Sequence, residues 1–241
     1  MVKKYDNILM FNDLHAPAMH KDAIKFLKAV DKEYGPFDKV VCNGDLFDFH
    51  ACAQWDRNRF LPDSPFEIEE AIKAIQPLFK LFPKVDMTWG NHDLRVMKKA
   101  AKEGISTRFL KGLLEAVGAP KGWNLEKYYN VPTKAGTIKF IHDLGCRNVK
   151  KVISVKGMNV AQGHLHTMFE IQYVANEHAL NWGVTGGCLI DHSHPAYDYS
   201  RTSSGTERLF KPVIGCTLII DGIPHLIPMK LNKRGRWIKT L

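Results

Sequence analysis

The residues that could carry chemistry lie in five short blocks within the first two thirds of the chain. The blocks combine carboxylate, amide and imidazole side chains, and the first three directly follow short apolar runs. In chain order they are DLH (Asp13, His15), GDLFD (Gly44, Asp45, Asp48), GNHD (Gly90, Asn91, His92, Asp93), IHD (His142) and GHLH (Gly163, His164, His166). Oxygen and nitrogen donors without cysteine suit first-row divalent ions such as Mn, Fe, Zn or Ni. The blocks therefore predict a site for such ions.

Spacing and glycine placement strengthen this interpretation. In an extended segment, side chains two residues apart point the same way, so the two ends of DLH could converge, as could the two histidines of GHLH. Glycine precedes Asp45, Asn91 and His164, and its missing Cβ allows a sharp turn or a close approach to a centre. Each block is weak alone, but five in order are specific.

Taken in order, the blocks resemble the pattern of the calcineurin-like metallophosphoesterases, DxH, GDxxD, GNH[DE], H and GHxH. The resemblance extends from Asp13 to His166. It implies an α/β fold, a four-layer α/β/β/α sandwich of two mixed sheets, with a two-metal site above the sheet edges. It implies two ligand sets and a bridge, namely Asp13, His15 and His166 on one ion, Asn91, His142 and His164 on the other, and Asp45 between them. His92 would be the general acid near the leaving group.

The division of roles also has a physical basis. Two cations about 3.5 to 4 Å apart repel each other unless an anion lies between them, and a carboxylate such as Asp45 with a hydroxide supplies it. The cations would lower the pKa of bound water and neutralise charge on a phosphoryl group. His92 projects differently from its neighbour Asn91 and stays free for proton transfer. The sequence thus predicts hydrolysis by a metal-bridging hydroxide, with Mn the expected metal and Fe, Zn or Ni as alternatives.

Four neighbouring residues receive less specific interpretations. Asp48 and Asp93 are candidates to orient imidazoles. Arg95 could clamp a phosphate just past His92, or it could instead cap or solvate a helix. Asp143 follows His142 where the family often has glycine, and its carboxylate could orient a ligand, bind metal or repel an anionic substrate.

The apolar pattern predicts the elements that must position these blocks. The runs YDNILMF, FDKVVC and KVDMTW are typical of buried strands, and helical spacing of apolar residues between them predicts two amphipathic helices. This order implies parallel pairing in the first half. STRFLKGLLEAVG predicts a further helix, and the remainder is mostly strands and turns. With no linker or repeat visible, we expect a single domain over residues 1–241.

Two aperiodic segments, 50–64 and 192–211, are the expected location of substrate choice. The second contains His192 and His194, which either reach the site or lie in solvent. Phe47, Phe49 and Trp55 come after the GD of the second block. We expect them to form core or pocket wall, with a base-stacking platform as the alternative.

Composition narrows the function classes. The 241 residues are 45% hydrophobic and carry a formal charge of +9, which suits a globular protein with an anionic partner. The five cysteines are scattered without metal-binding spacing, so we expect reduced thiols. No apolar stretch approaches the ~20 residues of a membrane span or forms a signal peptide, so we expect a cytoplasmic protein with no membrane partner.

The favoured function is a phosphodiesterase, with a nuclease as one form of it, because the charge is basic. The alternatives are a phosphomonoesterase acting on nucleotides or phosphoprotein, and a non-catalytic binding module of the same fold. Two basic clusters could attract single-stranded nucleic acid and would make its binding fall steeply with salt; otherwise they are solvated. They comprise Arg147, Lys150, Lys151 and Lys156, and Lys230, Lys233, Arg234, Arg236 and Lys239. No feature of the sequence predicts an oligomeric state.

Overall fold

The structure is a computed structural model that describes residues 3–53, 61, 63–200 and 211–241. Trp55 and residues 201–210 of the 192–211 segment lie outside the described residues. The described helices are α1 (Ala23–Tyr34), α2 (Ser64–Leu81), α3 (Arg95–Lys102), α4 (Leu113–Ala116) and α5 (Val149–Lys156). The strands are β1 (Asn7–Phe11), β2 (Lys39–Cys42), β3 (Lys84–Thr88), β4 (Gly122–Glu126), β5 (Tyr129–Thr133), β6 (Gly136–Ile141), β7 (Asn159–Gln162), β8 (Phe169–Ala175), β9 (Leu180–Gly186), β10 (Gly215–Ile220) and β11 (Ile223–Pro228).

The strands form two mixed sheets. The first has the order β11-β10-β1-β2-β3-β4, in which β1 to β4 run parallel and β10 and β11 pair antiparallel. The second has the order β5-β6-β7-β9-β8, with a parallel centre and an antiparallel strand at each edge. The parallel pairing predicted for the first half is confirmed.

Strand β1 shows how the layers arise. Its side chains alternate between the two faces of the sheet. Leu9 and Phe11 join the core beneath α1 and α2, whereas Ile8 and Met10 join a second core that also contains residues of the other sheet. Helix α5 covers the outer face of that other sheet, where its Val149 and Ile153 lie against Gly183. The predicted four-layer α/β/β/α sandwich is confirmed.

Several elements differ from the prediction. The helix predicted over residues 106–118 is split into a 3₁₀ turn at Thr107–Phe109 and the short α4. Gly112 separates them with an extended ψ of 144°, and glycine is a poor helix former. Strand β4 and helices α3 and α5 were not predicted, because their apolar periodicity is short or masked by lysines. None of the described helices has the length and apolarity needed to cross a membrane.

The topology brings the five blocks together. Three of them follow the parallel strands β1, β2 and β3 of the first sheet, and two follow the parallel strands β6 and β7 of the second. The carboxyl ends of parallel strands share one edge of a sheet, and ligand sites of α/β proteins lie there. Since the core between the sheets contains residues from both halves of the chain, we propose that residues 1–241 form one domain.

The C-terminal segment docks on the loop before α1. Arg236 forms two hydrogen bonds to the Asp22 carboxylate, both 2.6 Å long, and the Trp237 ring packs edge-on against Phe26. His20 contacts the Gly235 carbonyl at 2.9 Å. Hydrogen bonding to Arg236 lowers the pKa of Asp22 to about 2. One of the five basic residues of the tail is therefore committed to an ion pair.

We predict that Arg236→Ala lowers the free energy of unfolding near neutral pH, by an amount limited by solvent screening of the half-exposed guanidinium. The folded-state pKa of Asp22 lies below its ordinary value of 3.8, so the pair stabilises the protein above that value and ceases to do so as the pH falls toward 2. Urea unfolding at a series of pH values should show the difference from wild type narrowing below about pH 4.

Arg234→Ala is the matched control, because the Arg234 side chain has no hydrogen bond or ion pair to any described residue. Its effect should stay within about 0.5 kcal/mol at every pH. Equal destabilisation by both variants would contradict the assigned role of the Asp22 pair.

Candidate metal centre

The loops that carry the candidate ligands have unusual backbone conformations. Asp13 and His15 both have φ values of 52°, Asp45 has 50° and His164 has 67°. This left-handed region costs an L-residue about 1 to 2 kcal/mol, although Asp and His adopt it more readily than most. Such strain concentrates at functional sites, where the surrounding structure enforces it. The extended conformation assumed for DLH is therefore wrong, and a left-handed turn positions its side chains instead.

The first cluster forms around Asp13. The His166 Nε2 lies 3.0 Å and the His15 Nε2 lies 3.6 Å from the Asp13 Oδ1. The other oxygen of Asp13 accepts hydrogen bonds from the Asn12 side chain at 2.6 Å and the His164 amide at 2.9 Å. One carboxylate oxygen is thus held by the protein, and the other faces two imidazoles. Ligand atoms of Asp13, His15 and His166 lie within 4.8 Å of one another.

The second cluster contains Asp45, His142 and His164. The His142 Nε2 lies 3.2 Å from the Asp45 Oδ2 and 3.1 Å from the Asn91 Oδ1. His164 and His166 therefore lie in different clusters, and the convergence on one locus suggested by their spacing is wrong. The division implied by the family resemblance, with His164 and His166 on different ions, stays a prediction.

Asp45 connects the two clusters. Its Oδ2 lies 3.5 Å from the His15 Nε2 as well as 3.2 Å from the His142 Nε2. Both the Asp45 Oδ2 and the His15 Nε2 are buried without a hydrogen-bond partner among the described residues. Buried polar atoms left in this way are costly unless a ligand satisfies them. Their oxygen and nitrogen chemistry fits divalent cations.

Ionisation in the cluster is coupled. Burial opposes ionisation of Asp45, but the nearby His142 and His92 hold its pKa below the ordinary value. Burial also disfavours the charged form of His15, yet contacts with Asp13 and Asp48 raise the pKa of its imidazole to about 10. Metal ions bind neutral imidazole, so protons and metal ions compete for these nitrogens.

His92 belongs to neither the Asp13 nor the His142 set, but with His15 and Asp45 it forms a third group whose ligand atoms lie within 4.8 Å of one another. Its Nδ1 contacts the Asp48 Oδ1 at 2.8 Å, and its Nε2 lies 4.0 Å from the Asp45 Oδ2. Burial lowers the pKa of His92 despite the neighbouring carboxylates. Asp48 also contacts the His15 Nδ1 at 3.0 Å, so one carboxylate orients two imidazoles. This is the arrangement predicted for Asp48.

Arg95, at the start of α3, is buried against the same pair. Its guanidinium contacts the Asp48 carbonyl oxygen at 2.8 Å and the His92 Nε2 at 3.0 Å. In this geometry Arg95 donates to the imidazole. The predicted contact of Arg95 with a substrate phosphate stays a prediction. The guanidinium contacts above are with Asp48 and His92, not with the end of a helix.

Asp93 braces the backbone instead of orienting an imidazole. Its carboxylate accepts hydrogen bonds from the amides of Asp45, Phe47 and Gly90 at 2.8, 3.1 and 3.0 Å. Burial, together with the charge of Asp45, raises the pKa of Asp93 to about 7. The Gly90 position also explains its residue type, because a Cβ there would lie 2.0 Å from the Asp45 Oδ1. The close approach predicted for this glycine is confirmed.

Two residues of the site were not predicted. Asn43 precedes the GDLFD block, and its carbonyl accepts from the His142 Nδ1 at 2.9 Å, which leaves the Nε2 directed at Asp45. Tyr197, in the 3₁₀ helix Pro195–Ser200, packs edge-on against the rings of His15 and His166, at 5.8 and 6.5 Å between centroids. A polar residue beside a block was a usable signal for Asn43, but no local pattern singled out Tyr197.

The 192–211 segment reaches the site through this tyrosine. The candidate metal groups found among the described residues do not include His192 or His194. They do not include Asp143 either, whose Oδ1 accepts from the Gly145 amide at 2.7 Å. Phe47 and Phe49 are the two described residues of the aromatic group that follows GD. They stack on each other inside the core, as predicted.

Comparison with known proteins identifies the class. The calcineurin-like phosphoesterase family model matches residues 7–203. The chain belongs to the calcineurin-like phosphoesterase family. This is a family of phosphoester hydrolases that generally bind divalent metals, and the Asp and His clusters described above are candidate ligands for them.

Searches against individual proteins gave distant similarity. YfcE, a phosphoesterase from E. coli, is 12% identical with a TM-score of 0.47, and the alignment covers 96% of each chain. Vps29 of Chaetomium thermophilum is 13% identical with a TM-score of 0.45, covering 96% of this chain and 94% of that one. The NAD nucleotidase NadN of Haemophilus influenzae is 10% identical with a TM-score of 0.38, covering 99% of this chain and 54% of that one. No curated protein matches the sequence.

We predict that Asp45→Asn weakens the binding of both metal ions at once, because the substitution removes the negative charge shared by the two clusters. The loss in affinity should exceed the roughly 10- to 100-fold typical of losing a partner of a ligand. Metal content per chain after dialysis against graded Mn concentrations measures it. Asp143→Asn is the control, since its amide oxygen can still accept from Gly145. Retention of two metal ions by Asp45→Asn would exclude Asp45 as the bridge.

Proposed function

We propose that this protein is a dinuclear metal-dependent phosphodiesterase. The observation that carries the proposal is the Asp45 carboxylate, which contacts imidazoles of both clusters while its buried Oδ2 has no hydrogen-bond partner among the described residues. Asp13, His15 and His166 would hold one ion, and Asn91, His142 and His164 the other. Mn is the first ion to test, followed by Fe, Zn and Ni.

When bound, the two cations would supply a water of lowered pKa and neutralise charge on the phosphoryl group. The protein's own contribution begins with orientation. The His142 Nδ1 is tied to the Asn43 carbonyl and the His15 Nδ1 to Asp48, so the Nε2 atoms of both rings point at Asp45. The Asp93 carboxylate fixes the loop that carries Asp45. These contacts orient the ligands before any ion binds.

Proton transfer to the leaving group is assigned to His92. Asp48 accepts from the His92 Nδ1 and stabilises the imidazolium when the Nε2 is also protonated. The lowered pKa of His92 makes the ring a better proton donor. The Arg95 guanidinium contacts the His92 Nε2 in this structure. This contact must break before the Nε2 can donate a proton to the leaving group.

The preference for diesters rests on charge. The net charge of +9 and the exposed lysines of α5 favour a substrate that extends beyond one phosphate, such as a nucleotide or a single nucleic acid strand. Phosphomonoester hydrolysis is the alternative. A purely binding role is disfavoured because all seven candidate metal ligands are present.

We predict that, with Mn, kcat/KM is roughly 10-fold or more higher for bis(p-nitrophenyl) phosphate than for p-nitrophenyl phosphate. Release of nitrophenolate measures both reactions, and protein treated with a chelator is the control. The reverse preference would favour the phosphomonoesterase alternative. Absence of turnover on both esters by protein that retains its metal ions would favour a binding module.

We predict that His92→Asn retains both metal ions but lowers turnover by roughly 10² to 10⁴, the scale of one general acid. The loss should be smaller for a nitrophenolate leaving group, which departs without a proton, than for an alkoxide leaving group. Parallel kinetics on the two diesters and metal analysis test this. His178→Asn, at an exposed histidine, is the control. Equal losses with both leaving groups would argue against the acid role.

A further inference from the structure

A cavity of about 340 Å³ lies directly over the candidate metal centre. Its lining comprises Asp45, His92, Arg147, His164, Leu165, His166, Thr167 and Met168. A single water molecule takes up about 30 Å³ of liquid volume, so the cavity holds considerably more than one phosphoryl group. Leu165 and Met168 add apolar surface to a lining that is otherwise mainly polar. The cavity thus suits an organic group that carries charge.

Arg147 is the only lysine or arginine among the described residues that line this cavity. Its side chain is exposed, and it forms no hydrogen bond or ion pair with any described residue. In contrast, Arg95 is buried against His92 and Arg236 is paired with Asp22. Arg147 therefore lines the cavity with an exposed guanidinium that no described residue pairs with.

The backbone around Arg147 is held at both ends. On one side, the Asp143 carboxylate accepts from the Gly145 amide at 2.7 Å and closes a turn just after His142. On the other, Asn148 caps α5, and its Oδ1 accepts from the Lys151 amide at 3.1 Å. The turn that contains Asp143 therefore serves to place Arg147 between a candidate metal ligand and a helix.

We propose that Arg147 is a specificity-determining residue that binds a second phosphate of the substrate while the scissile phosphate lies at the metal centre. This inference rests on the proposed function, which places the scissile group beside Asp45 and His92. A guanidinium offers a planar fork of donors that matches two phosphate oxygens. The substrate class is then a nucleotide that carries a second phosphate, either free or within a nucleic acid strand, and the test below takes the case in which a nucleoside unit separates the two phosphates.

The test is equilibrium binding of thymidine 3′,5′-bisphosphate and thymidine 5′-monophosphate to the full-length, Mn-loaded protein. Calorimetry in the cold measures affinity without turnover, and chromatography afterwards verifies that the ligands are intact. The variants are Arg147→Ala, Arg147→Lys and, as the control, Lys151→Ala, which removes an equal charge from α5 outside the cavity lining.

For the wild type we expect the bisphosphate to bind roughly 10-fold more tightly than the monophosphate, beyond the statistical factor of about two for its two phosphates. Arg147→Ala should abolish this preference and leave the monophosphate affinity nearly unchanged. Arg147→Lys should retain part of the preference and Lys151→Ala all of it. The inference is overturned if the wild type shows no preference, if it binds neither nucleotide, or if Arg147→Ala keeps the preference.

Two different measurements separate failure of the proposed function from failure of this inference. If the proposed function is wrong, diester turnover is absent while the binding preference for the bisphosphate persists. Oligothymidylates of increasing length separate the two sources of the second phosphate. Affinity that reaches its limit at two phosphates identifies a small nucleotide, whereas affinity that keeps rising and falls steeply with salt identifies a strand. Both outcomes uphold the assignment of Arg147, provided that its alanine variant reduces the affinity.

Discussion

The burial of four carboxylates in one small region is the constraint on which the rest of this structure depends. Asp13, Asp45, Asp48 and Asp93 are each at most 3% exposed. Buried charge is tolerated only when it is paired or fully hydrogen-bonded. Imidazoles compensate the first three, and backbone amides surround the fourth. Among the described residues, one oxygen of Asp45 and one nitrogen of His15 are buried here without a hydrogen-bond partner, and this is where cations are proposed to bind.

The backbone is arranged to maintain that concentration of charge. Candidate ligands adopt left-handed conformations that strands and helices do not supply, so other contacts must enforce them. Asp93 holds the Asp45 and Gly90 loops together, and the Asn43 side chain joins the two sheets by hydrogen bonds to the Ile141 and Ala161 carbonyls, both 3.1 Å long. The same asparagine orients His142 through its own carbonyl. The sandwich and the site are therefore stabilised by shared hydrogen bonds.

The arginines of this protein have different contacts, which the net charge alone does not reveal. Arg236 stabilises the docking of the C-terminal segment, and Arg95 is buried against His92 and Asp48. Of these three arginines, Arg147 has no hydrogen bond or ion pair to any described residue, and it lines the cavity over the candidate metal centre. Each of the three arginines contributes one positive charge to the net charge, whereas their contacts give each a different role.

The sequence by itself determined the family, the sandwich and the order of the ligand blocks, because strand periodicity is local and each block follows a strand directly. It also indicated three glycines at which a sharp turn or a close approach was expected, of which Gly90 approaches Asp45 closely. Tertiary structure decided the rest. His164 and His166 belong to different clusters because a left-handed turn, not an extended strand, carries them. The contacts of Asp93, Asn43 and Tyr197 join segments that are distant along the chain, and no local spacing encodes which of these segments meet when the two sheets pack.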